Sequence, residues 1–312
     1  MKRILSFVAA ATLLAGCGKK AETAAGPEAA PGRPVVALVV KTLNHPFFID
    51  MQKGAEEAAK AAGVELIVQA AEREIDVERQ MQIIENLIQR KVNALVVAPS
   101  GSREIVPVVV KANQAGIPVL VVDTRVDAAA LKAAGGTTAT FIGSDNYEGG
   151  KLAGEFMAQK MGGQARIAVL EGIPGHETGD ARLRGFRDGI KGSPGMQIVA
   201  SQPANWERDQ GYNVFQNIMQ AHPEVNAMFA ANDLMALGAL EAIAAAGKAH
   251  RITVVGFDAL DEARAAVKKG TMAGTVAQDP AQMGRVGVEW AARVLKGEIP
   301  PADIAVPIQF VK

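Results

Sequence analysis

The sequence predicts an α/β protein made of two doubly wound parallel-sheet lobes. Three observations carry this expectation. From Val35 onward, short β-branched runs alternate with longer amphipathic stretches, the repeated strand–helix pattern of a parallel sheet with right-handed crossovers. The runs are apolar at nearly every position, as strands buried on both faces are. The pattern also breaks and restarts once, around Gly135-Gly136-Thr137-Thr138, in a chain of 312 residues. That length exceeds the roughly 250 residues at which a single core stops growing.

Taken in order, the first half reads as strands over 34–40, 64–70, 93–99 and 117–123, with helices over 47–62, 75–90 and 104–115. Gly63 and Gly116 stand where helices should stop, because glycine readily takes the left-handed C-cap conformation. Residues 127–139 read as irregular. The second half reads as strands over 139–144, 165–171, 196–202, 225–231, 251–257 and 273–278. Helices fit at 146–161, 178–191, 207–220, 233–246, 260–269 and 281–296, and IAVPIQF (304–310) is one further strand candidate.

The first residues read as an address label. Lys2 and Arg3 lead into an apolar stretch over 4–16, shorter than the ~20 residues that span a bilayer as a helix. Its end, Leu14-Ala15-Gly16-Cys17, resembles the bacterial lipoprotein signal, and Cys17 is the single Cys of the chain. Removal of 1–16 and lipidation of Cys17 are the expectation, with 17–33 as a flexible tether of Ala, Gly, Pro and charged residues. The folded part should begin at Pro34 or Val35.

Composition excludes several classes. A hydrophobic fraction of 49% is incompatible with disorder. Lys plus Arg and Asp plus Glu both number 33, without the basic excess of a nucleic-acid binder. One Cys excludes a disulfide scaffold and a Cys-ligated zinc cluster. The sequence carries no G-x-S-x-G elbow, H-E-x-x-H motif or phosphate-binding P-loop. A glycosidase would need paired carboxylates, and Asp123 with Asp258 could mimic such a pair. No enzyme activity, cofactor or metal is expected.

Open α/β sheets bind ligands beyond the carboxyl ends of their strands, so the residues following each run are the informative ones. Aromatics make up only 4% of the chain, yet Phe47, Phe48, Trp206 and Phe257 fall on these loops. Beside them stand Asn, Asp, Arg, Gln and His, side chains that bond hydroxyls in planar, directional patterns. Of Asn232-Asp233, the first is expected to face ligand and the second to cap the following helix.

These residues carry a family likeness. KTLNHPFF (41–48), VVDT (121–124), IGSDNYEGG (142–150), EGIPGH (171–176), SQPANW (201–206), HPEVNAMFAANDLMALGALEAI (222–243), VVGFD (254–258) and VAQ (276–278) run in order through the chain. Together they resemble the bacterial ribose- and galactose-binding proteins of sugar ABC transporters, with the type I periplasmic-binding fold. The 222–243 pattern alone is shared with lactose-type repressors, which begin with a basic helix-turn-helix; here a lipoprotein signal occupies that place.

The resemblance implies an aromatic clamp of Phe47 or Phe48 from one lobe and Trp206 from the other. It implies hydroxyl-binding roles for Asp123, Arg182, Asn232, Asp258 and Gln278, with Phe257 lining the cleft. Lys41, His45, Thr124 and Trp206 depart from the ribose pattern, and His176 matches the galactose-binding version. Lys41, His45, His176 and Arg182 would suit a hexose, a polyol or a sugar acid. The resemblance further implies a three-segment hinge near 142–145, 278–280 and 304–306. It divides the chain into lobes of 34–142 plus 279–304 and 143–278 plus 305–312. The expected partners are a monosaccharide or polyol, ABC permease subunits and a membrane reached through the lipid on Cys17, with the protein itself monomeric. A receptor presenting ligand to a chemotaxis or sensor-kinase system is the alternative.

Overall fold

The computed structural model describes residues 32–312; Cys17 and the expected signal and tether up to residue 31 lie outside the described residues. In chain order the first elements are β1 (Val35–Thr42), α1 (Pro46–Ala62), β2 (Glu65–Ala71), α2 (Val77–Gln89), β3 (Ala94–Val97), α3 (Val106–Gln114), β4 (Val119–Val122), α4 (Ala128–Ala133) and β5 (Thr140–Gly143). Then follow α5 (Asn146–Lys160), β6 (Gln164–Glu171), α6 (Glu177–Ile190), β7 (Gly195–Pro203), α7 (Arg208–Ala221), β8 (Ala227–Ala230) and α8 (Asp233–Ala245). The chain closes with β9 (Thr253–Asp258), α9 (Asp261–Lys268), β10 (Gly274–Ala277), α10 (Pro280–Val294), β11 (Asp303–Ala305) and β12 (Gln309–Val311).

Two six-stranded sheets result, ordered β11-β5-β4-β3-β1-β2 and β12-β10-β9-β8-β6-β7. Every pairing is parallel except β10 with β12. Each sheet has a strand-order reversal beside its first strand, β1 or β6, where crevices open at strand ends. The strands are short and apolar: Val36 to Val40 of β1 are all fully buried. The α1 helix starts at a His45 N-cap with Pro46 in its first turn and ends at Gly63 with φ 69°, a left-handed C-cap suited to glycine.

Helices that share a sheet face meet backbone to backbone. A Cβ on Gly54 of α1 would lie 1.9 Å from the Ala281 carbonyl oxygen of α10, and one on Gly284 would lie 2.0 Å from that of Met51. Gly150 and Gly185 do the same for α5 against α6, and Gly211 and Gly238 for α7 against α8. The sheets are therefore clad by close-fitting helix pairs, and Val, Ile, Leu and Ala fill most of the interior. Phe186 stacks on Phe229 at 4.4 Å within the second lobe.

Three details differ from the sequence expectation. Residues 127–139, read as irregular, contain α4, whose first turn is capped by Asp127 accepting the Ala130 N–H; six helical residues are too few for a periodic pattern. The 304–310 segment is two strands, β11 in the first sheet and β12 in the second, separated at Val306-Pro307-Ile308, where Pro307 has no N–H to donate. Gly143 and Ala305 pair with one another in the first sheet, one residue beyond where the lobe boundary was drawn.

Candidate functional site

The carboxyl ends of the two sheets face each other across a cleft. Backbone conformations there are unusual: Asp123 (φ 62°), Asn205 (52°), Trp206 (69°), Asp258 (112°) and Ala259 (54°) all have positive φ without being glycine. Such conformations cost of order 1–3 kcal/mol each and gather where side chains must be aimed. Asp123 and Asp258 stand at the ends of β4 and β9, so the turn directs each carboxylate inward.

Ten of the thirteen residues singled out from sequence line one cavity: Lys41, His45, Phe47, Phe48, Asp123, Arg182, Trp206, Asn232, Asp258 and Gln278, together with Glu74 and Thr178. About 290 Å³ of atom-free space lies among them, part of it continuous with solvent. Thr124, His176 and Phe257 stand behind it. Phe257, expected to line the cleft, is fully buried and carries the Arg182 guanidinium 3.7 Å above its ring. Glu74 and Thr178 were missed. Glu74 lies three residues beyond the end of β2, in a loop with no aromatic to mark it, and Thr178 is an unremarkable threonine in the first turn of a helix.

The first lobe contributes Lys41 from the end of β1, whose Nζ lies 2.9 Å from Asp123 Oδ2 and 3.8 Å from Glu74 Oε2. His45 Nδ1 accepts the Phe47 N–H at 3.1 Å, so its Nε2 carries the proton and faces Asp258 Oδ2 of the other lobe at 3.9 Å. The Phe47 and Phe48 rings meet edge to face at 5.2 Å, and both line the cavity.

The second lobe contributes Arg182, 3% exposed. Its Nε donates to Asn146 Oδ1 at 2.8 Å, and one Nη donates to the Ala231 carbonyl at 2.8 Å and to Asp258 Oδ1 at 3.4 Å. Gln278 Nε2 also donates to Asp258 Oδ1, at 2.8 Å. The Trp206 indole lies against Gly172 and Gly179, where a Cβ would come within 2.0 and 3.1 Å of it. Asn232 has a role that the sequence reading gave to Asp233. Its Oδ1 caps α8 by accepting the Met235 N–H, while its Nδ2 donates to the Trp206 carbonyl at 3.1 Å. Asp233 is instead fully buried beneath, accepting from Leu260 N and Thr275 Oγ1.

Four contacts join the rims of the two lobes. Thr124 Oγ1 donates to Asp123 Oδ2 and meets Thr178 Oγ1 at 3.0 Å. His176 Nε2 faces the Pro99 carbonyl at 3.4 Å, Ser102 Oγ accepts the Glu177 N–H at 3.2 Å, and Arg73 pairs with Glu207 at 3.2 Å. The structure is thus closed over its cavity. Buried atoms with no protein partner include His176 Nδ1, Trp206 Nε1 and Gln278 Oε1.

The charges inside nearly balance. Burial raises the Asp123 carboxyl, but Lys41 outweighs it, helped by Arg182, and the group lies below its usual range. Burial pushes Asp258 up to about 6 against the pull of Arg182 and Gln278. Burial and the neighbouring Asp258 push the Asp233 carboxyl well above its ordinary value. Glu74 is raised by burial to about 7, with Lys41 opposing. His45 and His176 are lowered to about 3, first by burial and then by Lys41, so both are neutral. Two cations therefore face two carboxylates and a half-ionised third. Among the described residues no group of His, Cys, Asp and Glu could hold a metal ion, and no helix is long and apolar enough to cross a membrane.

Residues 36–299 match the periplasmic binding protein domain family. The ribose import binding protein RbsB of Salmonella typhimurium is 38% identical over 311 residues, covering 100% of this chain and 98% of that protein. The D-allose-binding periplasmic protein of Escherichia coli is 37% identical over 277 residues, 88% of this chain and 89% of its own. A crystal structure of an ABC transporter periplasmic solute-binding protein from Actinobacillus succinogenes 130z with bound D-allose superposes with a TM-score of 0.84 at 39% identity, covering 89% of this chain and 97% of the other.

Proposed function

The chain belongs to the periplasmic binding protein family, and from that premise we propose that it is the solute-binding component of a carbohydrate ABC importer. It holds one neutral monosaccharide or cyclic polyol between its lobes. The observation that carries this reading is the composition of the closed cavity, with aromatic faces from both lobes around a ring of planar polar groups. A sugar ring has apolar C–H faces and hydroxyl edges. Phe47, Phe48 and Trp206 suit the faces, while Asp123, Arg182, Asn232, Asp258 and Gln278 suit the edges.

Charge narrows the ligand class. Lys41 and Arg182 each already face a carboxylate, and both histidines are neutral, so no unpaired cation awaits a sugar acid. The same pairing argues for binding over glycoside hydrolysis. Asp123 is committed to Lys41 and Thr124, and Asp258 to Arg182 and Gln278.

The two lobes close about the three chain crossings, β5 to α5, β10 to α10 and β11 to β12. Ligand favours the closed state by contacting both lobes at once. The closed upper surfaces dock on the permease, the protein acts as a monomer, and the lipid on Cys17 tethers it to the membrane outside the cytoplasm. A thermal-shift and calorimetric panel of D-ribose, D-allose, myo-inositol and D-glucuronate tests this. A neutral member at 100 times its Kd should stabilise the protein by about 2.7 kcal/mol, and Trp206→Ala should weaken binding by roughly 2 kcal/mol or more. No response to any neutral sugar, or tighter binding of D-glucuronate than of all three, would refute the reading.

A further inference from the structure

We propose that Asn146, which does not line the cavity, is a positioning residue: it holds the Arg182 guanidinium in the rotation that leaves its free N–H groups to the bound sugar. The inference rests on the carbohydrate reading of the cleft. Asn146 is the first residue of α5, directly after the β5–α5 crossing, and is 6% exposed. It borders a hollow on the hinge side with Ser144 and Tyr147, not the cavity that Arg182 and Trp206 line. Anything it does for a ligand therefore passes through Arg182.

A guanidinium carries five N–H groups in one plane. The Phe257 ring, 3.7 Å from it, supports that plane. Rotation within the plane is set by Asn146 Oδ1, which accepts from Nε at 2.8 Å, and by the Ala231 carbonyl, which accepts from Nη1 at 2.8 Å. Nη1 also reaches Asp258 Oδ1 at 3.4 Å. Three of the five N–H groups are thus taken, and among the described residues nothing accepts from the two on Nη2. Arg182 lines the cavity, so that pair is left for the hydroxyl oxygens of a ligand.

Asn146 suits the task on two counts. Its Nδ2 donates to the Ser144 carbonyl at 3.4 Å, which turns the amide oxygen, rather than the nitrogen, toward Arg182; the reverse orientation would set donor against donor. Its distance is fixed by backbone contact. A Cβ on Gly150 of α5 would lie 2.0 Å from the Arg182 carbonyl oxygen of α6, so the two helices carry Asn146 and Arg182 as one body. Without the acceptor a buried, charged N–H is left unpaired. The guanidinium then turns toward another acceptor and takes Nη2 away from the sugar.

Calorimetric titration of D-ribose, D-allose and myo-inositol tests this with wild type, Asn146→Ala, Asn146→Asp, Arg182→Lys and the double variant Asn146→Ala, Arg182→Lys. Asn146→Ala should bind the sugar that wild type prefers about tenfold more weakly. Asn146→Asp keeps an acceptor for Nε and should stay within about threefold of wild type. Lysine has no Nε–H group to place there. In the Arg182→Lys background the same alanine should therefore cost less than about twofold, a departure from additivity that a merely structural role would not produce. If Asn146→Ala fails to melt cooperatively without sugar, Asn146→Ser, whose shorter side chain withdraws the oxygen, takes its place. If an Arg182 variant fails, the comparison of alanine or serine with aspartate decides. Alanine affinity within about twofold of wild type, equal losses with alanine and aspartate, or an undiminished loss in the Arg182→Lys background would overturn the role of Asn146 alone. Failure of wild type to bind any of the three sugars would instead overturn the carbohydrate reading, and this inference with it.

Discussion

Replacing Gly172 by alanine is the smallest substitution expected to disturb the aromatic wall of the cleft. The residue follows β6, and its φ is not in the positive region, so alanine brings no backbone strain and acts only through its methyl group. That methyl would stand 2.0 Å from Trp206 Cζ2, 2.3 Å from Cη2 and 2.4 Å from Cε2. Ordinary contact begins near 3.4 Å, so the indole must move by about 1.4 Å. The Trp206 backbone is anchored by its hydrogen bond from Asn232, so the displacement falls on the side chain and carries it into the cavity. Overpacking of this kind costs roughly 1–3 kcal/mol. A displaced indole would take up space the sugar needs, so part of that cost should appear in binding, as a loss of about fivefold or more in affinity. Calorimetry with the sugar that wild type binds best measures it, with a melting scan to confirm that the sugar-free variant stays folded. A Kd within twofold of wild type would refute the placement of Trp206 against this glycine and as a ligand wall.

Other substitutions probe separate parts of the argument. His45 is neutral when folded, its pKa lowered to about 3, against 6.5 for the free side chain, so it contributes stability above pH 6.5 that is lost as pH falls toward 3. His45→Asn keeps a cap for α1 without the titration, and its melting temperature should fall less than that of wild type between pH 7.5 and pH 5. Thr178→Val removes the hydroxyl that meets Thr124 across the lobes and should weaken sugar binding by about 0.5–1.5 kcal/mol, with little change in the melting temperature of the sugar-free protein. Cys17→Ser should move the protein from the membrane fraction to the soluble fraction in a cell-fractionation blot; retention at the membrane would refute the lipid anchor.

The alternation of apolar runs with amphipathic stretches made the strands and most helices legible, because a strand buried on both faces leaves little choice beyond Val, Ile, Leu and Ala. The carboxyl ends of those strands then marked most of the cavity-lining residues. What escaped was decided by distant partners. Asn232 and Asp233 are both good capping residues, and only the approach of Leu260 and Thr275 draws Asp233 inward and leaves the cap to Asn232. Phe257 ends its strand in the expected place, but Arg182 covers it. Glu74 belongs to a loop without periodicity or turn signature, so only the fold brings it to Lys41. In the sequence Lys41, His45, His176 and Arg182 formed a set suited to a hexose, a polyol or a sugar acid. Their charge became readable only with burial, which neutralises the histidines, and with the carboxylates that face the two cations.

The glycine-lined helix crossings bear on how binding is reported at a distance. Where backbones touch directly, no flexible side chain lies between the helices to absorb displacement. Each lobe should therefore behave as a stiff lever, and the free energy gained at the cleft is not dissipated in deforming the body that carries it. A small rotation about the crossing strands then becomes a larger displacement at the far rims. On this view alanine at Gly54 or Gly185, remote from any sugar, would blur the signal without touching the ligand.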